Sequence, residues 1–271
     1  MHNVAFARLG LNWRYLAFEV HPKDLRTAIA GAKAMGFAGL NLTVPHKLLA
    51  LDMVNELDES AKIWGAVNTI KFKVHSPESA FRGRQATKTR TIGYNTDADA
   101  LVAALRRDLG LKLRGKKVLV LGAGGAGRTA ALKLAAEKVA ELFLVNRTHR
   151  KAERLAVEIK QRFSSVKISV SYPKSDVDLI LNATSLGLKT DDPLPFDGKR
   201  FSLKQTRAVY DMIYRPAETR LLKSARSAGC RTANGLGMLL YQGVAAFEIW
   251  TGKRAPLDVM RRTLEQEVYG H

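Results

Sequence analysis

Glycines at 122, 124 and 127 give the stretch Gly122-Ala123-Gly124-Gly125-Ala126-Gly127 the spacing G-x-G-x-x-G. That spacing permits a tight turn, a close approach of backbone to a pyrophosphate, and a helix N-terminus aimed at its charge. Alone the pattern is weak, and its flanks strengthen it. Before it, Lys117-Val118-Leu119-Val120-Leu121 reads as a buried strand; after it, Arg128 to Ala136 reads as a helix. The next strand, Glu141 to Val145, ends in Asn146-Arg147-Thr148, about where an acidic residue would hold the ribose of NAD. An arginine there suits a 2′-phosphate, so the cofactor reads as NADP. The backbone of 122–127 should hold its pyrophosphate. Asn146, Arg147, Thr148 and, one helical turn further on, Lys151 should hold the 2′-phosphate.

Three polar clusters fall at the C-terminal ends of predicted strands, where open α/β sheets bind ligands. They are Asn41-Leu42-Thr43-Val44-Pro45-His46-Lys47, Gly65-Ala66-Val67-Asn68-Thr69 and Gly93-Tyr94-Asn95-Thr96-Asp97. Pro45 breaks its strand and frees Thr43 and Lys47 to face a ligand. Together the clusters supply one lysine, one aspartate and several neutral hydrogen-bonding groups. Taken alone, Lys47 is an ordinary lysine at a helix start. Thr184 and Ser185 follow an apolar strand, where they either line the nicotinamide side or cap the next turn.

Other chemistries find no support. His21, His46 and His75 belong to no H-E-x-x-H or carboxylate/histidine cluster, so no metal is expected. No G-x-S-x-G elbow is present for serine-based nucleophilic catalysis. Cys230 is the only cysteine, which excludes an intramolecular disulfide and agrees with a reducing cytoplasm.

The elements that must position these residues alternate between strand and helix. Tyr15 to Val20 reads as a strand, Asp24 to Met35 as an amphipathic helix, and Gly39 to Val44 as a second strand. Helices are predicted from His46 and over Glu56 to Trp64; Val67 to Val74 and Thr91 to Tyr94 read as paired strands. Thr96 is placed to cap the helix running to Leu109. Strands near 117–121, 141–145, 179–182 and 208–211 follow, and Gly235 to Trp250 and Leu257 to Val268 are helical. This order implies parallel sheets covered by helices, an α/β protein of two domains. Residues 1–95 with 236–271 would form a substrate domain, and 96–235 a Rossmann-type nucleotide domain, the last two helices returning to the first.

Composition suits a globular chain, with 46% hydrophobic and 25% charged residues among 271. No run approaches the ~18 apolar residues of a membrane span, and no secretory signal is visible at Met1-His2-Asn3-Val4. The 44 Lys+Arg against 25 Asp+Glu give a net charge of +19, a surface that attracts anions. The cations are scattered. Their densest cluster, Phe81-Arg82-Gly83-Arg84 through Lys88-Thr89-Arg90, reads as a solvated hairpin tip. It lacks the interleaved aromatics of a nucleic-acid site, so nucleic acid is not an expected partner.

The ordered set N-L-T-V-P-H-K, G-A-V-N-T, Y-N-T-D, G-A-G-G-A-G-R, V-N-R-T, N-A-T-S, D-M-I-Y-R-P and N-G-L-G-M-L-L-Y-Q resembles the shikimate dehydrogenase family over nearly the whole chain. The resemblance implies NADPH-dependent reduction of 3-dehydroshikimate to shikimate, in aromatic amino-acid (chorismate) biosynthesis, by a cytoplasmic monomer or homodimer with a cleft between its domains. It places Lys47 and Asp97 as the catalytic pair, and Thr43, Lys47, Asn68, Asp97, Tyr214 and Gln242 on the substrate. Among cofactor contacts it adds Glu59, Met212 and Gly235. The chemistry agrees: a ketone taking up hydride also needs a proton at the nascent alkoxide. Partial burial would ease proton release from Lys47, while Asp97 opposes that release and orients the ammonium.

Departures from the family pattern lie at the start and after Asp97. Family members open with a short strand and a Ser-x-Ser-Pro loop whose serines bind the substrate carboxylate; this sequence matches from just after that loop. The expectation is that the natural polypeptide starts upstream of Met1, and that a chain beginning here binds cofactor better than substrate. Ala98 replaces the glycine usual after Asp97, and the segment 75–90 is family-atypical. Two alternatives follow: a quinate/shikimate dehydrogenase of broader specificity, or a catalytically impaired nucleotide-binding homologue with an acidic or nucleic-acid partner.

Overall fold

The structure is a computed structural model, and residues 1–75 and 88–270 are described. Most of the basic cluster beginning at Phe81 therefore lies outside the described residues. Two compact units are present: Met1–Asp97 with Gln242–Leu264, and Ala98–Tyr241 with the tail from Glu265. The first turns of the helix that opens at Leu236 thus belong to the second unit, and the remainder of that helix to the first. No helix among the described residues is long and apolar enough to cross a membrane.

The first unit opens with α1 (His2–Arg8), then a single 3-10 turn leads into α2 (Leu25–Ala34). Next come β1 (Gly39–Asn41), α3 (His46–Leu49), β2 (Glu56–Leu57), α4 (Glu59–Trp64), β3 (Thr69–His75) and β4 (Lys88–Tyr94). The sheet runs β1-β3-β4-β2, antiparallel at β1/β3 and β3/β4 and parallel at β2/β4. Leu25, Ile29 and Ala32, at helical spacing on α2, pack with Leu42, Ala61, Val67, Ile70 and Phe72 as its core.

Two predicted elements differ here. Tyr15–Val20 forms no strand: β1 pairs only with β3, so no ladder partner holds this segment, and Leu16 and Phe18 are 64% and 63% exposed. The helix predicted from Glu56 begins instead at Glu59, because Glu56 and Leu57 pair with Ile92 and Gly93, and Asp58 caps α4 by accepting from the Ser60 amide. Alternating propensity cannot by itself create a neighbouring strand.

The second unit begins at α5 (Asp97–Leu109), whose first residue is counted with the first unit. Then follow β5 (Lys117–Leu121), α6 (Gly125–Ala136), β6 (Glu141–Val145), α7 (His149–Arg162), β7 (Lys167–Ser169), β8 (Val177–Asn182), β9 (Thr206–Asp211), α8 (Arg220–Ser227) and β10 (Arg231–Asn234). β7 and β10, short edge strands of mixed polarity, fall outside the predicted strands. Helices α9 (Leu236–Thr251) and α10 (Leu257–Tyr269) close the chain.

All five strand pairings in the second sheet are parallel, in the order β10-β9-β8-β5-β6-β7. Counted from β5, that is the order 3-2-1-4-5-6 read from the opposite edge, the doubly wound Rossmann arrangement. The central strands β5, β8 and β9 are almost wholly buried, as strands covered on both faces must be. Leu119, Leu121, Ile180 and Val209 form their core with Phe201, Leu221 and Leu222.

Part of α9 belongs to the first unit for a visible reason. Gly39 leaves room for the indole of Trp250, whose Nε1–H donates to the Ile70 carbonyl at 2.9 Å. A side chain at position 39 would occupy that space.

Candidate active site

In the first unit, the chain leaving β1 turns at Val44-Pro45 and enters α3, which carries Lys47. The Lys47 carbonyl accepts from the Val67 amide at 2.8 Å, so its backbone is tied to the residue preceding Asn68. Its Nζ donates to Asp97 Oδ2 at 2.7 Å. The lysine and aspartate side chains are 28% and 14% exposed, partly dried yet open to a small molecule. Asp97 starts α5, where its amide is accepted by Asn95 Oδ1 at 3.1 Å.

Asn68 is 1% exposed. Its Nδ2 donates to Asp97 Oδ1 and Thr96 Oγ1, both at 2.9 Å, and its Oδ1 accepts from the Thr96 amide at 2.9 Å. A backbone N–H can only donate, so this last bond fixes which way the amide faces. Asp97 is thereby held at both oxygens, one by Lys47 and one by Asn68. Thr43 is exposed beside the α3 entry, and Gln242 is half-buried on α9. Glu59 is exposed in the first turn of α4.

The glycine turn of the second unit has the geometry its spacing implies. Gly122 adopts φ +103, its amide donating to the Val145 carbonyl at 2.8 Å, and a Cβ there would meet the Ala183 carbonyl oxygen at 2.9 Å. A Cβ on Gly127 would collide with the Gly122 carbonyl oxygen, so this glycine lets α6 close on β5. Nothing would meet a Cβ at Gly124 or Gly125, where the first turn of α6 faces open space suited to an anion.

Asn146 spans the turn and the following loop: Oδ1 accepts from the Ala123 amide at 2.9 Å, and Nδ2 donates to the Thr148 carbonyl at 2.8 Å. Both ends of its amide are engaged within the protein. Arg147, Thr148 and Lys151 are exposed at the start of α7, and neither cation joins an ion pair among the described residues. Arg150, which no motif in the sequence marks, is exposed between them. Arg128, in the first turn of α6, is instead committed to Glu158 at 2.9 Å and, with Arg162, holds that carboxyl below its ordinary range against the effect of burial.

At the ends of β8 and β9, Asn182 and Asp211 stand side by side in register. Asp211 is 0% exposed; it accepts from Asn182 Nδ2 at 3.0 Å, the Ile213 amide at 3.1 Å and Thr219 Oγ1 at 2.6 Å. Burial pushes its carboxyl up despite those three donors. Asn182 Oδ1 in turn accepts from the Thr184 hydroxyl at 2.8 Å, and Thr184 Oγ1 accepts from the Leu186 amide at 3.1 Å. The Thr184 hydroxyl thus ties its own turn together. Met212 is half-buried and Tyr214 exposed just beyond β9. A Cβ on Gly235 would strike the Met212 carbonyl oxygen. Among the described residues no group of His, Cys, Asp or Glu is arranged to hold a metal.

A classic-order nucleotide sheet and a separate unit bearing a Lys–Asp pair define a two-unit α/β dehydrogenase class. Family models match in three segments: residues 1–70 with the shikimate dehydrogenase substrate binding domain, 104–187 with shikimate/quinate 5-dehydrogenase, and 235–265 with the shikimate 5′-dehydrogenase C-terminal domain. A shikimate dehydrogenase (NADP(+)) of Methanopyrus kandleri is 39% identical over 97% of this chain and 89% of its own length. The crystal structure of a shikimate dehydrogenase in complex with NADP+ superposes with a TM-score of 0.84 at 38% identity, covering 98% of this chain and 89% of that one. A 5-ketofructose reductase from a Gluconobacter species, in ligand-free form, gives 0.81 at 35% identity, covering 98% and 91%. The chain belongs to the shikimate dehydrogenase family.

Proposed function

We propose that this protein catalyses the NADPH-dependent reduction of 3-dehydroshikimate to shikimate, and the reverse oxidation. One observation carries the reading: Lys47 and Asp97 meet at 2.7 Å in the unit whose sequence matches a substrate binding domain. The residues present fit the cofactor. Gly122 and Gly127 let the turn and α6 pack tightly on β5, and the first turn of α6 at Gly124 and Gly125 faces open space for a pyrophosphate. Arg147, Arg150 and Lys151, exposed and in no ion pair among the described residues, offer positive charge where a 2′-phosphate would lie.

NADPH, when bound, supplies the hydride to the substrate carbonyl carbon. The protein's part is the proton. One of the three Lys47 N–H bonds is spent on Asp97 Oδ2, which leaves two for the substrate oxygen. As charge develops on that oxygen, Lys47 transfers a proton to it and becomes a neutral amine, later reprotonated from solvent. Asp97, held by Asn68 on its other oxygen, keeps Nζ aimed during the transfer. In oxidation the same amine accepts the hydroxyl proton. Thr43, Tyr214 and Gln242 are proposed to bind the substrate hydroxyls and carboxylate; Met212, Gly235 and Glu59 are proposed cofactor contacts.

The proposal places the enzyme in the cytoplasm, as a monomer or homodimer. Its test is steady-state turnover with shikimate and quinate, each paired with NADP+ and NAD+. Shikimate with NADP+ should give the highest kcat/KM. A higher value for any other pair would overturn the assignment.

A further inference from the structure

We propose that Tyr15 is a positioning residue for the catalytic pair, acting through Asn41, Thr69 and Asn68. The proposal rests on the reading of Lys47 and Asp97 as the proton-transfer pair. A continuous series of hydrogen bonds joins these side chains. Tyr15 Oη donates to Asn41 Oδ1 at 3.0 Å, and Asn41 Nδ2 donates to Thr69 Oγ1 at 3.0 Å. Thr69 Oγ1 then donates to Asn68 Oδ1 at 3.2 Å, and Asn68 Nδ2 to Asp97 Oδ1 at 2.9 Å. Lys47 occupies the other Asp97 oxygen.

The sense of every bond is forced. Asn41 Nδ2 also lies 3.2 Å from the Asn68 carbonyl oxygen, which can only accept, so the Asn41 amide cannot be turned over. Its Oδ1 is then an acceptor, and the Tyr15 phenol must be the donor. Thr69 receives from Asn41, so its own proton is free for Asn68 Oδ1. That oxygen is fixed as an acceptor by the Thr96 amide. All the donors therefore point toward the Asp97 carboxylate, the arrangement in which successive bonds polarise and strengthen one another.

The far end is anchored as firmly as the near end. The Tyr15 ring stacks on His2 with centroids 4.4 Å apart and planes within 11°. The Tyr15 amide donates to Asn3 Oδ1 at 2.6 Å, and Asn3 Nδ2 donates back to the Tyr15 carbonyl at 3.0 Å. Burial raises the phenol further above its usual range, which keeps it a neutral donor. Thr69 and Asn68 are 0% and 1% exposed, so water cannot replace the Thr69 hydroxyl in the series, while Tyr15 and Asn41 are half-buried.

The test uses Tyr15→Phe, which removes one oxygen, Thr69→Val, which removes the hydroxyl at nearly constant shape, and Thr69→Ser, which keeps it. Tyr15→Phe and Thr69→Val should each lower kcat by roughly two- to tenfold, the weight of one hydrogen bond, with KM for NADP+ unchanged. Thr69→Ser should turn over near the wild-type rate. The double variant Tyr15→Phe/Thr69→Val should be no slower than Thr69→Val, because the series is already cut. Wild-type kcat in Tyr15→Phe, equal impairment of Thr69→Ser and Thr69→Val, or multiplying losses in the double variant would each overturn the proposal. Lys47→Ala, assayed in parallel, separates the two claims. Full activity in that variant refutes the catalytic pair itself, whereas an inactive Lys47→Ala beside a fully active Tyr15→Phe refutes only the relay.

Discussion

Replacing Arg147 by alanine should convert a strong preference for NADP+ into a weak one. A charge-assisted hydrogen bond to a phosphate contributes about 1.5–3 kcal/mol, and each ~1.4 kcal/mol is tenfold in kcat/KM, so the ceiling is on the order of a hundredfold. The surroundings lower that figure. Arg147 is exposed, and Arg150 and Lys151, exposed beside it and in no ion pair among the described residues, would share the proposed phosphate. Solvent screening and this sharing put the expected loss near the low end, about tenfold in kcat/KM for NADP+. NAD+ has no 2′-phosphate, so its kcat/KM should stay where it is. Adding Lys151→Ala should deepen the loss by less than another factor of about ten, since neighbouring cations on one anion do not act independently. Initial rates with saturating shikimate, titrating each dinucleotide at two ionic strengths, give the four constants needed. Raised salt should weaken NADP+ use more than NAD+ use in the wild type, and by a smaller margin in the double variant, which keeps Arg150. Equal losses for both dinucleotides, or an unchanged NADP+/NAD+ ratio, would refute the placing of the 2′-phosphate at Arg147.

Two further perturbations probe the scaffold. His2 is buried, its Nε2 donating to the Gly243 carbonyl at 3.1 Å, and desolvation lowers its pKa from 6.5 to about 4. The unfolded chain binds this proton first, so stability should fall as pH drops from 6.5 toward 4, by up to about 3 kcal/mol. Urea unfolding across that range should show a steeper loss in wild type than in His2→Phe; parallel curves would contradict it. Gly127→Ala places a methyl against the Gly122 carbonyl oxygen, so α6 must back away from β5. The expected result is a loss of roughly 1–3 kcal/mol together with weakened NADP+ binding; an unchanged urea midpoint and dissociation constant would show that the turn tolerates a side chain.

What the sequence made legible was chemistry at fixed local spacing. Three glycines between an apolar strand and an alanine-rich helix, with an arginine after the next strand, need only local backbone geometry to place them. That their strands run parallel under covering helices was implied by the alternation of elements, but the order of those strands was not. Long-range pairing was not legible. Tyr15–Val20 has the pattern of a strand, yet only a neighbouring strand in register could make it one, and β1 pairs with β3 alone. Type and position could place Asn146 beside the phosphates, but not reveal that its amide also ties the glycine turn to the next loop, accepting from Ala123 and donating one proton to Thr148. Nothing in the residues around Thr69 or Asn41 announces that they join Tyr15 to Asp97, because that series crosses four separate segments. Asp211 and Asn182 lay inside recognised motifs, but the reason for their presence is a cross-strand contact visible only once β8 and β9 are in register.

The central claim is that Lys47 delivers the proton in a reaction whose hydride comes from NADPH. The most direct measurement is shikimate-dependent reduction of NADP+ by Lys47→Ala beside wild type, with NADP+ binding measured on both. Removal of a general acid–base should cost about 10²–10⁴ in kcat while the dissociation constant for NADP+ stays the same. A Lys47→Ala enzyme turning over at the wild-type rate would contradict the account.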